Sequence, residues 1–189
     1  MTIKVAINGM GRIGRSTLAA IIESGRSDIE VVSINAPAPI ETLVHLMKYD
    51  SVHGRFPGDI KIIGSNIDVG RGQIDMQSTY NPAELNWEGI DVLLECTGVH
   101  NSKEASIIHL ENGAKKVLLS APGKNVDKTV VYGVNHKELK SDDLIVSNAS
   151  CTTNCLAPIA KVLNDAIGIE NGIMTTIHSY TGDQPTLDK

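Results

Sequence analysis

Residues 3–35 read IKVAINGMGRIGRSTLAAIIESGRSDIEVVSIN, and the parsing of this stretch decides the fold. IKVAIN (3–8) is a short apolar run that ends at a glycine. RIGRSTLAAIIESG (12–25) brings Ile13, Leu18, Ile21 and Ile22 near helical spacing and closes on Gly25, a natural helix stop. IEVVSIN (29–35) is a second strand. Strand, helix and strand within roughly 30 residues is the size of one parallel crossover unit. At the turn between the first strand and the helix, Gly9, Gly11 and Gly14 spell G-x-G-x-x-G. In that context the first glycine permits a tight turn, the second lets the backbone approach a pyrophosphate, and the third allows close helix–strand packing. The helix start adds unpaired amides and a favourable dipole for phosphate.

Outward from this unit, IETLVHLMKYD (40–50) reads as a helix with Leu43, Leu46 and Met47 on one face. DIKIIGSNIDVGRGQIDMQ (59–77) holds three short runs separated by glycine-rich turns, the pattern of an antiparallel meander. DVLLECTG (91–98) and KKVLLSAP (115–122) are strands around a helix near 102–112, capped by Ser102 and closed by Gly113. TVVYGV (129–134) and DLIVSNAS (143–150) are further strands. After Cys151 an amphipathic helix places Leu156, Ile159, Ala160, Leu163 and Ile167 on one side, with a kink expected at Pro158. GIMTTIHSY (172–180) reads as a last strand. The expected architecture is α/β, a doubly wound parallel (Rossmann-type) sheet over 1–150, followed by the opening of a second unit over 151–189. A lone helix and strand cannot form a stable domain, so that second unit is expected to be truncated.

Composition agrees with a globular α/β chain. Hydrophobic residues make up 41% and aromatics only 3%, so the core must be built from aliphatic side chains, as in buried parallel strands. A net charge of −5 with no basic run argues against a nucleic-acid partner. No apolar run approaches the roughly 18 residues of a membrane span, and the first segment lacks a signal-peptide core. Three cysteines, an odd number, fit a reducing compartment. These features predict a cytoplasmic protein.

NASCTTNC (148–155) carries the chemistry. Cys151 and Cys155 are spaced C-x3-C with no second Cys/His pair at zinc-site distance, so no metal site is expected. A core role suits Cys96, in a strand, and Cys155, inside a helix. Cys151 differs because it ends a strand and begins a helix, where free N–H groups and the dipole stabilise a thiolate. His178 is the candidate base: a helix and a returning strand can bring it back beside Cys151. A strand-end histidine is commonly structural, and spacing alone leaves both roles open for His178. At the end of the second strand, Asn35 and Ala36 stand where an acidic residue normally holds the ribose hydroxyls. Loss of that carboxylate predicts weakened selectivity for NAD over NADP, although no Arg or Lys lies nearby in sequence to grip a 2′-phosphate.

INGMGRIGR (7–15), LLECTG (93–98), SNASCTTNCLAP (147–158) and TTIHSYTGDQ (175–184) together resemble phosphorylating glyceraldehyde-3-phosphate dehydrogenase, in the right order over the whole chain. The resemblance implies that 1–150 bind a dinucleotide and that 151–189 begin an α+β catalytic domain. It implies Cys151 as nucleophile and His178 as acid/base, with Ser150, Thr152 and Thr181 at phosphate-binding positions. Asn8, Arg12, Ile13, Thr97, Gly98 and Ser120 match positions lining the dinucleotide, beside Gly9, Gly11 and Gly14. The implied chemistry oxidises glyceraldehyde 3-phosphate through a cysteine thioester, with hydride transfer to NAD(P), and inorganic phosphate then releases 1,3-bisphosphoglycerate. A homotetramer is implied for the full-length family protein. The family's chain runs well beyond residue 189, so this chain is expected to keep the nucleophile without an efficient site. Two rivals remain: the sister activity on erythrose 4-phosphate, and a dinucleotide-binding fragment without catalysis.

Overall fold

Alternation along the first strand sends its side chains to two different cores. The computed structural model describes residues 2–179. β1 (Ile3–Asn8) leads into α1 (Arg12–Glu23) and returns to β2 (Ile29–Asn35), which lies parallel to β1. Val5 and Ile7 join Leu18 of α1, Ile34 of β2 and the buried face of α2 (Ile40–Lys48). Ala6, on the opposite face, packs with Leu85, Trp87 and Leu93. The face of α2 that turns inward is Leu43, Val44 and Met47, whereas Leu46 is 39% exposed, so the buried face shares Leu43 and Met47 with the expected one but is rotated by about 50° toward Val44.

A small hairpin follows, β3 (Tyr49–Asp50) with β4 (Gly54–Arg55). The predicted meander is present as β5 (Lys61–Ile63), β6 (Asn66–Asp68) and β7 (Gln73–Gln77), antiparallel among themselves, and β7 runs parallel beside β2. β8 (Val92–Glu95) takes the other side of β1. α3 (Lys103–Glu111) starts as expected, with the Ala105 N–H donating to Ser102 Oγ at 3.1 Å. β9 (Val117–Leu119), β10 (Lys128–Thr129) and β11 (Ile145–Ser147) complete the sheet. Among the described residues the strand order is β10-β11-β9-β8-β1-β2-β7-β6-β5. The chain therefore passes from β1 to β2, crosses to the edge at β5 and returns through β6 to β7 on one side, and restarts at β8 on the other. The crevice above the carboxyl ends of β1 and β8 is the switch point at which open α/β sheets take ligands.

Of the expected strand at 129–134 only Thr129 lies in β10. Val130 and Val131 are buried, and Val130 still donates its N–H to the Ser147 carbonyl at 2.8 Å, but a tight turn closed by the Val134 N–H on the Val131 carbonyl at 3.0 Å ends the strand there. α4 (Cys151–Ile167) runs through Pro158 without a break, although proline offers no N–H to the Asn154 carbonyl. Its apolar side is present but buries nothing: Leu156, Ile159, Leu163 and Ile167 are all exposed. Residues 172–179 form no strand among the described residues, because no neighbouring strand offers them a ladder. No described helix is long and apolar enough to cross a membrane.

Candidate active site and dinucleotide crevice

The β1–α1 turn has the backbone that its glycines predict. Gly9 has φ +96°, and its N–H donates to the Asn35 carbonyl at 2.9 Å. A Cβ on Gly9 would lie 2.9 Å from Thr97 Cγ2 and from the Thr97 nitrogen. A Cβ on Gly14 would lie 2.0 Å from the Gly9 carbonyl oxygen, so helix and turn touch there. Gly11 differs in that nothing lies within 4 Å of where its Cβ would stand. It is the N-cap of α1 and supplies no side-chain acceptor, which leaves the first-turn amides free for an anion. This open cradle fits the pyrophosphate of a dinucleotide.

Two cavities flank the turn. One, of about 560 Å³, is lined by Gly9, Gly11, Ala36, Thr79, Tyr80 and Thr97 among others. The second, of about 460 Å³, is lined by Ile13, Leu94, Cys96, Ser120, Asn148 and Cys151 among others. Cys96 lines both, and burial pushes its thiol up to about 11, which makes it a poor nucleophile. Ile13 and Ser120 thus sit together on the Cys151 side. Gly98, at φ +73°, turns the chain away after Thr97.

Asn8 lies beneath the turn. Its Nδ2 donates to Glu95 Oε2 at 2.6 Å, and its Oδ1 accepts from Asn35 Nδ2 at 2.8 Å. Arg12 leans outward to Asp50 at 2.5 Å and to His53 Nδ1 at 3.3 Å. The backbone N–H groups of His53 and Val52 hold Asp50 well below the usual carboxylate range, and Arg12 adds to them. Ala36 is buried and its N–H donates to the Gln77 carbonyl at 2.9 Å. Among the described residues no carboxylate lines the larger cavity. Arg15 does line it, with Nη1 donating to the Met10 carbonyl at 2.9 Å and Nε buried without a partner among the described residues. The helix brings Arg15 to a site where no cation was apparent near Ala36 in sequence.

At the second cavity, the N-cap Ser150 accepts the Thr153 N–H at 2.9 Å. Ala149, immediately before it, has φ +59°, a left-handed conformation that turns the chain sharply from β11 into α4. Cys151 Sγ then lies 3.2 Å from His178 Nε2, and Thr152 Oγ1 lies 4.0 Å from the sulfur. His178 Nδ1 donates to the Ser179 carbonyl at 2.5 Å, which directs Nε2 toward the sulfur. The hydrogen bond with His178 lowers the Cys151 thiol from its ordinary value. The Ser179 carbonyl and then Cys151 raise His178, so both shifts move the pair toward thiolate and imidazolium. The structure therefore brings Cys151 and His178 together even though His178 lies on no strand. Thr181 lies outside the described residues. Cys155 is exposed rather than in a core, because no described element covers that side of α4. No metal-type cluster of His, Cys, Asp or Glu occurs among the described residues.

Sequence reading missed Glu95. It is 1% exposed at the end of β8 and accepts from Asn8, Thr97 and His109. Its signal was available, since an ionisable residue ends an otherwise apolar run, VLLE (92–95).

Residues 3–103 match the family described as glyceraldehyde 3-phosphate dehydrogenase, NAD binding domain. Residues 150–189 match the one described as glyceraldehyde 3-phosphate dehydrogenase, C-terminal domain. The glyceraldehyde-3-phosphate dehydrogenase of Xanthobacter flavus is 64% identical over 190 residues. That of Cereibacter sphaeroides is 64% identical over 188 residues, and that of Pseudomonas aeruginosa 52% over 191. Each alignment takes in all of this chain but only 56% or 57% of the relative. The chain spans little more than half the length of the curated relatives it matches.

Proposed function

The chain belongs to the glyceraldehyde 3-phosphate dehydrogenase family, and on that premise we propose that it binds NAD over residues 1–150 and carries the nucleophile of a phosphorylating aldehyde oxidation at the start of 151–189. The observation that carries this reading is the 3.2 Å contact of Cys151 Sγ with His178 Nε2, at a helix N-terminus beside the crevice. The Cys151 thiolate adds to the aldehyde carbon of glyceraldehyde 3-phosphate, the aldehyde oxygen takes the proton held by His178, and a thiohemiacetal with a neutral His178 results. The Cys151 backbone N–H, at the positive end of α4, stabilises the developing oxyanion. His178 takes the hydroxyl proton as hydride leaves the same carbon, and Cys151 then holds a thioester. A bound NAD supplies the hydride acceptor. Inorganic phosphate attacks the thioester carbon and breaks the carbon–sulfur bond, releasing 1,3-bisphosphoglycerate and regenerating the Cys151 thiolate. Ser150 and Thr152, and Thr181 by family likeness, bind the phosphate groups.

Asn8, Gly9, Gly11, Arg12, Gly14, Thr97 and Gly98 shape the dinucleotide side, and Ile13 and Ser120 the side nearer the thiol. The crevice tolerates NADP as well as NAD: among the described residues no carboxylate lines the larger cavity, and Arg15 supplies a cation there. The further reading that the protein works in the cytoplasm as a homotetramer rests on family likeness, on three free cysteines and on the exposed apolar side of α4.

Competitive alkylation with iodoacetate near neutral pH tests the nucleophile. Cys151 should be modified about ten-fold faster than Cys155 or more, and Cys96 should be slowest. Equal rates at Cys151 and Cys155 would remove the basis for assigning Cys151.

A further inference from the structure

The last residues of three adjacent strands form one buried polar row. Asn8 ends β1 and is the register partner of both Asn35, which ends β2, and Glu95, which ends β8. All three are buried. At one end of the row, Asn35 Oδ1 accepts the Thr79 N–H at 3.1 Å and Asn35 Nδ2 donates to the Thr79 carbonyl at 3.0 Å. The backbone thus fixes which way the Asn35 amide points. Asn35 Nδ2 also donates to Asn8 Oδ1 at 2.8 Å, so Asn8 must present its Nδ2 to Glu95. At the other end, the Trp87 indole, which can only donate, gives its N–H to His109 Nδ1 at 3.2 Å. That fixes the imidazole tautomer, and Nε2–H donates to Glu95 Oε2 at 3.1 Å.

Every direction in the row ends on Glu95. Its Oε2 accepts from Asn8 and His109, and its Oε1 accepts from the Thr97 N–H at 2.8 Å and from the Thr97 hydroxyl. Only an acceptor-only carboxylate satisfies donors on both oxygens. Burial pushes the Glu95 carboxyl up, but the bonds from His109, Thr97 and Asn8 outweigh burial and hold it below its usual range. The two oxygens also tie together two different walls of the crevice. Oε2 reaches the foot of the Gly9 turn through Asn8, and Oε1 holds Thr97, against which Gly9 packs without room for a Cβ.

We propose that Glu95 is a positioning residue for the dinucleotide, its carboxylate setting the Gly9 turn and the Thr97–Gly98 loop in place before the ligand arrives. The proposal rests on the dinucleotide reading above. Pre-set walls spare the ligand the ordering of two loops on binding.

The substitution Glu95→Gln separates positioning from folding. A glutamine amide has one oxygen and one NH₂, so one side of the row must meet a donor. On the Asn8 and His109 side both donors are fixed by Thr79 and Trp87. On the Thr97 side the hydroxyl can rotate to accept, but the backbone N–H loses its partner. The NH₂ therefore turns toward Thr97 and displaces that loop. Isothermal titration of the 189-residue chain with NAD, with amide NMR of both proteins, reads the outcome. Glu95→Gln should bind NAD about ten-fold more weakly, the loss expected of one charge-assisted hydrogen bond. The Thr97 amide resonance should move markedly, while the Trp87 indole N–H resonance stays in place. NAD affinity within two-fold of the parent, or an unmoved Thr97 amide, would overturn the proposal. Should Glu95→Gln fail to fold, Glu95→Asp keeps the charge but reaches only one donor pair. It should fold and still lose NAD affinity several-fold, and affinity within two-fold of the parent would again overturn the proposal. If the parent chain itself binds no NAD, the dinucleotide reading fails first and the positioning role with it.

Discussion

Replacing Gly14 by alanine sets two physical effects against each other. Gly14 lies inside α1, where alanine is favoured over glycine by about 1 kcal/mol on helix propensity alone. The new Cβ, however, would stand 2.0 Å from the Gly9 carbonyl oxygen, 3.1 Å from the Gly9 carbonyl carbon and 3.3 Å from Ile7 Cγ2. The obstacle is backbone, so no rotamer change relieves it. The turn is also pinned, because the Gly9 N–H is held by the Asn35 carbonyl at 2.9 Å. Helix and turn must separate by about 1 Å, an overpacking that costs roughly 3 kcal/mol, at the upper end of its range. The net loss is about 2 kcal/mol, or roughly 4–8 °C in melting temperature for a chain of this size. Trp87 is the single tryptophan and is fully buried, so thermal unfolding is followed through its fluorescence. Gly11→Ala is the contrast: nothing lies within 4 Å of its Cβ. It should leave stability within about 1 kcal/mol yet weaken NAD binding, because its methyl occupies the path of the pyrophosphate. A Gly14→Ala protein as stable as the parent would refute the close-approach argument, whatever its affinity.

His178→Asn should move the pH profile of Cys151 alkylation upward toward the ordinary thiol range near 8.5, with a loss of about ten-fold in rate at pH 7. The His178 hydrogen bond holds the Cys151 thiol below its ordinary value and Cys151 helps to raise His178, so an unchanged profile would show that His178 does not act on the sulfur. Because the folded Glu95 value is depressed, its contribution to stability is complete above the unfolded value near 4.5 and is lost as pH falls through the folded one. Acid titration should therefore destabilise the parent more than Glu95→Gln below pH 4.5, and parallel curves would contradict the depressed value. Ala36→Asp should weaken NADP binding about ten-fold through repulsion of the 2′-phosphate while leaving NAD little changed. If the parent already binds NAD as selectively as an acidic-residue relative, measured by titration with both cofactors, the argument from Ala36 falls.

The features legible in the sequence were those enforced within a short span of chain. Gly9 and Gly14 are demanded by a turn and a helix only a few residues apart, and the meander at 59–77 is fixed by its own turns. The row Asn35–Asn8–Glu95 was not legible, because Asn8 and Glu95 meet across 87 positions of separation and only strand order brings them side by side. Leu46 was misplaced because helical spacing gives a face but not its rotation toward the sheet. The strand expected at 172–180 has the right alternation over its described part, yet a strand exists only with a neighbour. Cys155 was assigned to a core for its residue type and its place in a helix, but burial depends on what covers α4. His178 shows the converse: spacing left it undecided, and its ring stands against Cys151 without a strand to carry it.

The short passage from β11 to α4 has a mechanical consequence. Only Asn148, Ala149 and Ser150 separate the end of the sheet from the first residue of the helix. Ser147 anchors this joint, accepting N–H groups from Gly123 and Ala149 and donating to the Ala121 carbonyl. Cys151 therefore starts its helix three residues from a sheet end that Ser147 ties to the loop after β9. The placement of the thiol is inherited from the sheet and not from packing of α4, which buries none of its own residues.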